Sequence, residues 1–253
     1  MFTNKTVIIT GATSGIGKNI AESFLAHGAN IIINARNEQR LNDFIQANSE
    51  HKSRIRIVAG DISQKTTCIK LSQIAIEQFG SIDILINNAG VFIPKPFLEA
   101  SEEELDMYLD TALKGAFFSS QAVIPNMIER NDGSIINIGS MWVEHPIEVT
   151  PCSASQVAKG GVHTLTRHLA IEFAKNNIRV NTIAPAVIDT PLYDDLMPRD
   201  NLEQLSNLHP LRRLGNMTDI TSWVLHLAGK GGRFVTGQTL MVDGGITAGN
   251  HSS

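Results

Sequence analysis

Short runs of apolar, β-branched residues alternate along the chain with stretches whose apolar residues recur every three or four positions. The first run, residues 6–9, predicts a buried strand. A helical face follows, made by Ile20, Ala21, Phe24 and Leu25. Further apolar runs predict strands at residues 31–33, 55–58 and 82–86. Strands that alternate with helices in this way predict an α/β protein.

Apolar residues at helical spacing predict three more helices. One ends near Phe79, where Gly80 is a suitable stop. A long helix is predicted over residues 101–127 and another over residues 155–175.

The turn between the first strand and the first helix is rich in glycine, and residues 10–17 read TGATSGIG. A helix N-terminus carries unpaired N–H groups and a partial positive charge, so it attracts phosphate. Glycine lets a ligand approach the backbone closely, although such a run alone also fits a tight turn. Its place between a strand and a helix favours a dinucleotide site. The candidate residues are Gly11, Thr13, Ser14, Gly15, Ile16 and Gly17.

The length, charge and cysteine content of the chain limit the kinds of function to be expected. The chain has 253 residues, 42% of them hydrophobic, and no linker-like segment, so one domain over residues 1–253 is expected. A net charge of -4 gives no reason to expect nucleic acid or an anionic membrane as partner. No signal peptide or spanning segment is recognised, Cys68 and Cys152 suggest no disulfide framework, and the cytoplasm is the expected location. The histidines show no metal-ligand spacing, so no metal is expected.

The second strand ends in the sequence NARN at residues 34–37. In a dinucleotide fold this strand end meets the adenosine ribose, where an acidic residue would bind the 2′-hydroxyl of NAD. The first carboxylate here is Glu38, whereas Arg36 suits a 2′-phosphate. NADP(H) is therefore favoured over NAD(H), with a solvated surface arginine as the alternative.

The third strand ends at Asp61 and Ile62, which are candidates for contact with the adenine. Asp61 equally suits the N-cap region of the next helix, where Asp and Ser63 are favoured in any case.

The sequence NNAG at residues 87–90 follows the fourth strand, and from here the chain resembles the short-chain dehydrogenase/reductase (SDR) family. Members of this length carry TGxxxGxG and then NNAG. The match continues in the family's order through residues 133–140, 178–185, 235–238 and 242–245. The resemblance covers nearly the whole chain. It implies a single-domain Rossmann-like fold, doubly wound, with a mainly parallel sheet and helices on both faces.

The same resemblance implies a reaction and its residues. The family transfers hydride between a nicotinamide and a carbonyl or alcohol. Ser140 resembles the residue that positions the substrate oxygen, and Lys159 the one that binds the nicotinamide ribose. Their simpler roles are a strand-end cap and a solvated lysine. The remaining implied cofactor contacts are Asn88, Ala89, Gly90, Pro185, Ile188 and Thr190.

Two positions depart from the family pattern. The family's catalytic tyrosine stands four residues before the lysine, one helical turn away, where this chain has Ser155. Only Tyr108 and Tyr193 occur elsewhere. Ala112 stands where the family has an asparagine that holds a water linked to the lysine.

These departures predict slow chemistry with cofactor binding retained, because a positioned acid contributes about 10²–10⁴ in rate. Three hypotheses stay open. The tyrosine was replaced on purpose, the chain is a natural variant that uses Ser140, a water or the substrate as acid, or it is a non-catalytic NADP(H)-binding protein. Ala112 favours the last two.

The remaining segments concern substrate and assembly. Residues 190–212 are a candidate substrate lid or else a plain surface segment. With Met141, Trp142, Val143 and Ile147 this lid predicts a mostly apolar pocket for a small carbonyl or alcohol substrate. Ala186 replaces a family glycine and is expected to shift its loop slightly. The resemblance implies a homo-tetramer or dimer.

Overall fold

Parallel strands form one sheet in the computed structural model, which describes residues 1–148, 150–194 and 196–249. Within that part of the chain there are seven strands, in the order β3-β2-β1-β4-β5-β6-β7. They are β1 Thr6–Thr10, β2 Asn30–Ala35, β3 Ile55–Ala59, β4 Ile84–Asn87, β5 Gly133–Ile138, β6 Ile178–Pro185 and β7 Thr239–Val242. Every neighbouring pair is parallel, so all carboxyl ends lie at one edge of the sheet.

Helices cover both faces of this sheet. They are α1 Gly15–Ala26, α2 Glu38–Ala47, α3 Lys65–Phe79, α4 Glu102–Tyr108, α5 Gly115–Arg130, α6 Ser153–Glu172, α7 Arg199–Gln204 and α8 Met217–Ala228. Ile9 of β1 packs with α1, α2 and α8, whereas Ile8 packs with α3, α5 and α6. Successive strand residues face opposite sides, so a strand between two helical layers is apolar throughout. The predicted Rossmann-like architecture is confirmed.

Several boundaries differ from those predicted. The helix over residues 101–127 is two helices, because a π-helical segment, Leu109–Lys114, separates α4 from α5. A π turn adds only one residue, so the apolar spacing runs on across it. The fourth strand begins at Ile84 rather than Ile82, whose N–H donates to the Asn126 side chain instead of a strand. Gly80 ends α3 in the left-handed conformation, as predicted.

An ion-pair cluster joins β1, β4 and α5 at the amino edge of the sheet. Asp83 is buried and accepts hydrogen bonds from Lys5 Nζ at 2.7 Å, Thr6 N at 2.8 Å and Arg130 Nη2 at 2.8 Å. Burial acts to raise the pKa of Asp83, but the hydrogen bonds from Lys5 and Thr6 outweigh it and hold the pKa below its usual value. The carboxylate is therefore an anchor for the strands that carry the site.

Asp83→Asn is expected to lower the free energy of unfolding by about 2 kcal/mol, because it removes a charge from a buried, fully bonded position. Urea unfolding near neutral pH measures this. Asp132→Asn is the matched control, since Asp132 is exposed and lies 3.6 Å from Lys5. Asp83 stabilises the fold at pH values above its unfolded-state pKa. This stabilisation is lost as the pH falls through the lowered pKa of Asp83 in the folded state. Equal effects from the two variants would contradict this assignment.

Candidate active site

The crevice at the carboxyl edge lies between β1 and β4, where the chain turns to opposite faces of the sheet. Asn88 Nδ2 donates to the carbonyl oxygens of Thr10 and Gly11, both at 3.0 Å. Thr10 Oγ1 accepts from the N–H groups of Asn88 and Ala89 at the same distance. Gly17 is required beside them, because a Cβ there would lie 2.2 Å from the Gly11 oxygen. These contacts bind the TGATSGIG turn to the NNAG turn.

The N-terminus of α1 opens into this crevice. Ser14 is the N-cap residue but makes no side-chain capping bond, and the first turn carries no acidic residue. Gly15 has φ +51°, and a Cβ there would meet nothing nearer than Thr190 at 3.6 Å. The first-turn amides therefore suit a pyrophosphate, and the residues present fit a dinucleotide. Thr13 and Ile16 are half-buried beside them.

Arg36 follows β2 and is exposed at the same edge of the sheet. Its guanidinium makes no hydrogen bond or ion pair with any other residue that the structure describes, which leaves it available for an anion. Asp61 is not a helix cap, because α3 begins at Lys65 after Gln64 and Asp61 instead accepts from Ser63 N at 2.9 Å. That part of the prediction is wrong, since a tight turn separates β3 from α3. Ile62 is buried against Gly115.

A cavity of about 130 Å³ lies next to this crevice. Its lining brings together Ser140, Ser155 and Lys159 from the predicted catalytic set, with Ile16, Pro185, Ile188 and Thr190 from the predicted cofactor set. Aromatic residues close the other side, namely Phe92, Trp142 and Tyr193. Residues far apart in the chain thus meet at one place.

Ser140 follows β5 and stands at the cavity wall. Its Oγ accepts from Trp142 N at 3.3 Å, so the simpler capping role is present too. Its own N–H donates to His163 Nε2 at 3.3 Å, while His163 Nδ1 lies 3.4 Å from Glu144 Oε1. A Cβ on Gly139 would lie 2.3 Å from His163 Nε2, so the glycine makes room for the imidazole. In the sequence His163 looks like an ordinary histidine, and only its place four residues after Lys159 points toward the site.

Lys159 reaches the cavity from α6. Its ammonium donates to the Ile138 carbonyl at 2.5 Å, and burial lowers the pKa of the amine to about 8. A Cβ on Gly90 would lie 3.4 Å from Lys159 Nζ, so the amine lies beside the NNAG turn. Gly161 lets α6 approach Leu113 of the π-helical segment closely, whereas Gly160 has space around it.

Ser155 occupies the wall one turn before Lys159. Its hydroxyl donates to the Cys152 carbonyl at 2.9 Å and accepts from Gln156 Nε2 at 3.0 Å. The hydroxyl proton of Ser155 is therefore already used in a hydrogen bond at the start of α6. Ala112 is buried in the π-helical segment among Tyr108, Ala158 and other apolar side chains. Neither position offers a group that titrates near neutral pH.

The candidate lid covers this cavity on one side. Tyr193 and Leu202 are buried in an apolar cluster with Met141 and Trp142, so this part of the segment packs inward. Arg199 donates to both carboxylate oxygens of Asp189 at 2.7 Å, which fastens α7 to the loop after β6. Of the four predicted pocket residues, Trp142 lines the cavity and Met141 belongs to the same apolar cluster as Trp142. Ala186 has an ordinary negative φ, so its backbone does not require glycine.

A larger cavity of about 410 Å³ lies behind the loop of residues 186–188. His209, Asp243, Arg213 and Trp223 line it, together with apolar residues of the β7 edge. It contains none of the predicted catalytic residues. Ser140, Ser155 and Lys159 line the smaller cavity instead.

The fold is that of a family of oxidoreductases that bind NAD(P). A family model described as enoyl-(acyl carrier protein) reductase matches residues 11–247. The chain belongs to the short-chain dehydrogenase/reductase family.

Similar proteins agree with this assignment. The chain is 37% identical to subunit BbsD of the (2S)-[(R)-hydroxy(phenyl)methyl]succinyl-CoA dehydrogenase from Thauera aromatica, over 96% of each chain. It is 34% identical to the 2,3-dihydroxy-2,3-dihydro-p-cumate dehydrogenase of Pseudomonas putida, over 95% of this chain and 93% of that one. The solved structure of ElxO with NADP bound superposes with a TM-score of 0.90 at 26% identity, over 97% and 99% of the two chains.

Burial lowers the pKa of His163, even though Glu144 opposes the shift. A histidine with a lowered pKa stabilises the fold above its unfolded-state pKa of about 6.5, and that contribution is lost as pH falls below it. Between about pH 7.5 and about pH 5, the free energy of unfolding is therefore expected to fall less in the His163→Gln chain than in the unaltered chain. Urea titrations at the two pH values measure this. His168→Gln, which changes an exposed residue of the same helix, is the control, and equal pH dependence in both variants would contradict the account.

Proposed function

We propose that the chain is an NADP(H)-dependent oxidoreductase that interconverts a carbonyl and an alcohol on a small apolar substrate. The observation that carries this proposal is the meeting of Ser140 and Lys159 in one cavity beside the uncapped N-terminus of α1. Within this proposal a single domain holds both the cofactor and the substrate. Arg36, exposed after β2, supports NADP(H) over NAD(H), because guanidinium binds a phosphate well.

Each residue then has a limited task. NADPH supplies hydride to the substrate when it is bound. The amides of Gly15 and Ile16 hold phosphate, and Lys159 holds the ribose hydroxyls with its ammonium. Ser140 donates a hydrogen bond to the substrate oxygen and so stabilises the charge that develops there. Ser155 does not protonate that oxygen, because its hydroxyl already donates to Cys152 and has no acidity near neutral pH.

The names of two relatives suggest a class of substrate. One acts on a compound with a phenyl group next to its hydroxyl, and the other on a ring derived from p-cumate. The cavity here is lined by Phe92 and Trp142, whose rings lie 6.1 Å apart. Aromatic side chains favour stacking against a flat ring. We propose a substrate with a ring next to the reacting carbon.

The second candidate is an NADP(H)-binding protein without catalytic activity. The apolar setting of Ala112 favours it, because no polar side chain remains at that position to hold a water near Lys159. Both candidates share the cofactor site and differ in turnover. A measurement of turnover therefore distinguishes the two candidates.

The proposal extends to assembly and location. The outer faces of α5 and α6 expose Phe117, Val157 and Ile171, whose exposed fractions are 46%, 61% and 80%. Exposed apolar side chains on two adjacent helices support a homo-tetramer or dimer. No helix in the described part of the chain is long and apolar enough to cross a membrane. We retain the cytoplasm as the proposed location.

Ser155→Tyr is expected to raise kcat for reduction of an aryl ketone by NADPH roughly 100-fold, because it restores a phenol one helical turn from Lys159. Stopped-flow or steady-state loss of NADPH absorbance measures the change. Ser153→Tyr, placed on an exposed position of the same helix turn, is the matched control.

An increase in kcat in the Ser155→Tyr chain alone supports an oxidoreductase whose proton donor is weak. Both chains staying inactive while they bind NADPH would favour the non-catalytic candidate. An unaltered chain as fast as the variant would contradict the assignment of Ser155 as the gap in the mechanism.

A further inference from the structure

The chain has two tyrosines, and their hydroxyl groups are in different situations. Tyr108 donates to the Ile93 carbonyl at 3.0 Å and accepts from the Ile93 N–H at 3.1 Å. Its hydroxyl is thus saturated by the backbone. Tyr193 makes no side-chain hydrogen bond to any residue within 1–148, 150–194 and 196–249.

Tyr193 lines the same cavity as Ser140, Ser155 and Lys159. Only 6% of the residue is exposed, and its ring packs in the cluster that contains Met141 and Trp142. Since the Tyr193 hydroxyl has no partner within the described residues, it is free to donate to a ligand or a water at the cavity wall. The cavity is where such a partner would lie.

The backbone around Tyr193 is fixed. Its N–H donates to the Thr190 carbonyl at 3.2 Å, and its carbonyl accepts from Leu196 N at 3.0 Å and Met197 N at 3.2 Å. The ring is therefore held at the start of the lid, directly after the loop that faces the cofactor crevice. Burial raises the pKa of Tyr193 to about 12, so the phenol keeps its proton at neutral pH.

We propose that Tyr193 donates the proton that Ser155 cannot supply in the reduction of the carbonyl. This rests on the proposed function. Tyr193 releases its phenolic proton to the carbonyl oxygen as hydride from NADPH reaches the carbonyl carbon and the C=O π pair moves to oxygen. Water then returns a proton to the phenolate, so one hydride and one proton are consumed per alcohol formed.

The test compares the unaltered chain, Tyr193→Phe, Ser155→Tyr and the double variant, with acetophenone and NADPH as probes. Tyr193→Phe is expected to lower kcat at least 30-fold in the unaltered background. In the Ser155→Tyr background the same change is expected to alter kcat less than about threefold, because the new phenol takes over the role. Tyr108→Phe is the control for loss of a phenol outside the cavity.

A second readout needs no turnover. In the complex with NADP⁺, acetophenone is expected to bind about fivefold more weakly to Tyr193→Phe, because one hydrogen bond to the carbonyl is lost. Quenching of intrinsic fluorescence measures this affinity, and Tyr108→Phe is expected to leave it unchanged. NADPH affinity is expected to be the same in all variants, which separates proton donation from damage to the cofactor site.

The outcomes separate this inference from the proposed function. Equal kcat in the unaltered and Tyr193→Phe chains would overturn the role of Tyr193 and leave the oxidoreductase in place. Activity confined to the Ser155→Tyr chains would likewise overturn the role of Tyr193 and leave the oxidoreductase in place. Inactivity of all chains despite NADPH binding would overturn both. An equal loss from Tyr193→Phe in both backgrounds would overturn proton donation, because it would assign the Tyr193 hydroxyl to a hydrogen bond that orients the substrate whichever group supplies the proton.

Discussion

The hydrogen bonds between Asn88, Thr10 and Gly11 are the interaction on which the site depends. They join the carboxyl ends of β1 and β4 at the point where the following chain turns to opposite faces of the sheet. This fixes the uncapped N-terminus of α1 on one side of the crevice. On the other side it fixes Gly90, which lies against the amine of Lys159. These backbone and amide contacts thereby hold the N-terminus of α1 and the amine of Lys159 on the two sides of one crevice.

The two halves of the site have different sensitivity to sequence change. In the proposed function, cofactor binding depends on the TGATSGIG turn, the NNAG turn and Lys159, all of which keep the family pattern. In the family, proton transfer depends on the tyrosine expected at position 155 and on the asparagine expected at position 112. Replacing them by Ser155 and Ala112 leaves the backbone intact, because Ser155 is satisfied within its own helix turn and Ala112 packs among apolar neighbours. Loss of the acid is therefore compatible with a well-packed fold.

Much of this arrangement could be predicted from the sequence, because β-branched runs and glycine turns are local signals. The mainly parallel sheet was expected from the βαβ pattern and the family resemblance, and Gly80 was identified as a helix stop from its residue type. The π turn at residues 109–114 could not be predicted, because it leaves the apolar spacing nearly unchanged. The contact between His163 and Ser140 and the entry of Tyr193 into the cavity depend on packing between distant segments. No local pattern encodes such contacts.

The measurement that tests the central claim most directly is the affinity of NADPH and NADH for the unaltered chain, followed by nucleotide fluorescence. The account holds that the cofactor half of the site is intact without its tyrosine. It predicts saturable NADPH binding about tenfold tighter than NADH binding, since Arg36 gains a phosphate partner. It also predicts the same NADPH affinity in the Ser155→Tyr chain. Failure of both nucleotides to bind the unaltered chain, with binding restored by Ser155→Tyr, would contradict it.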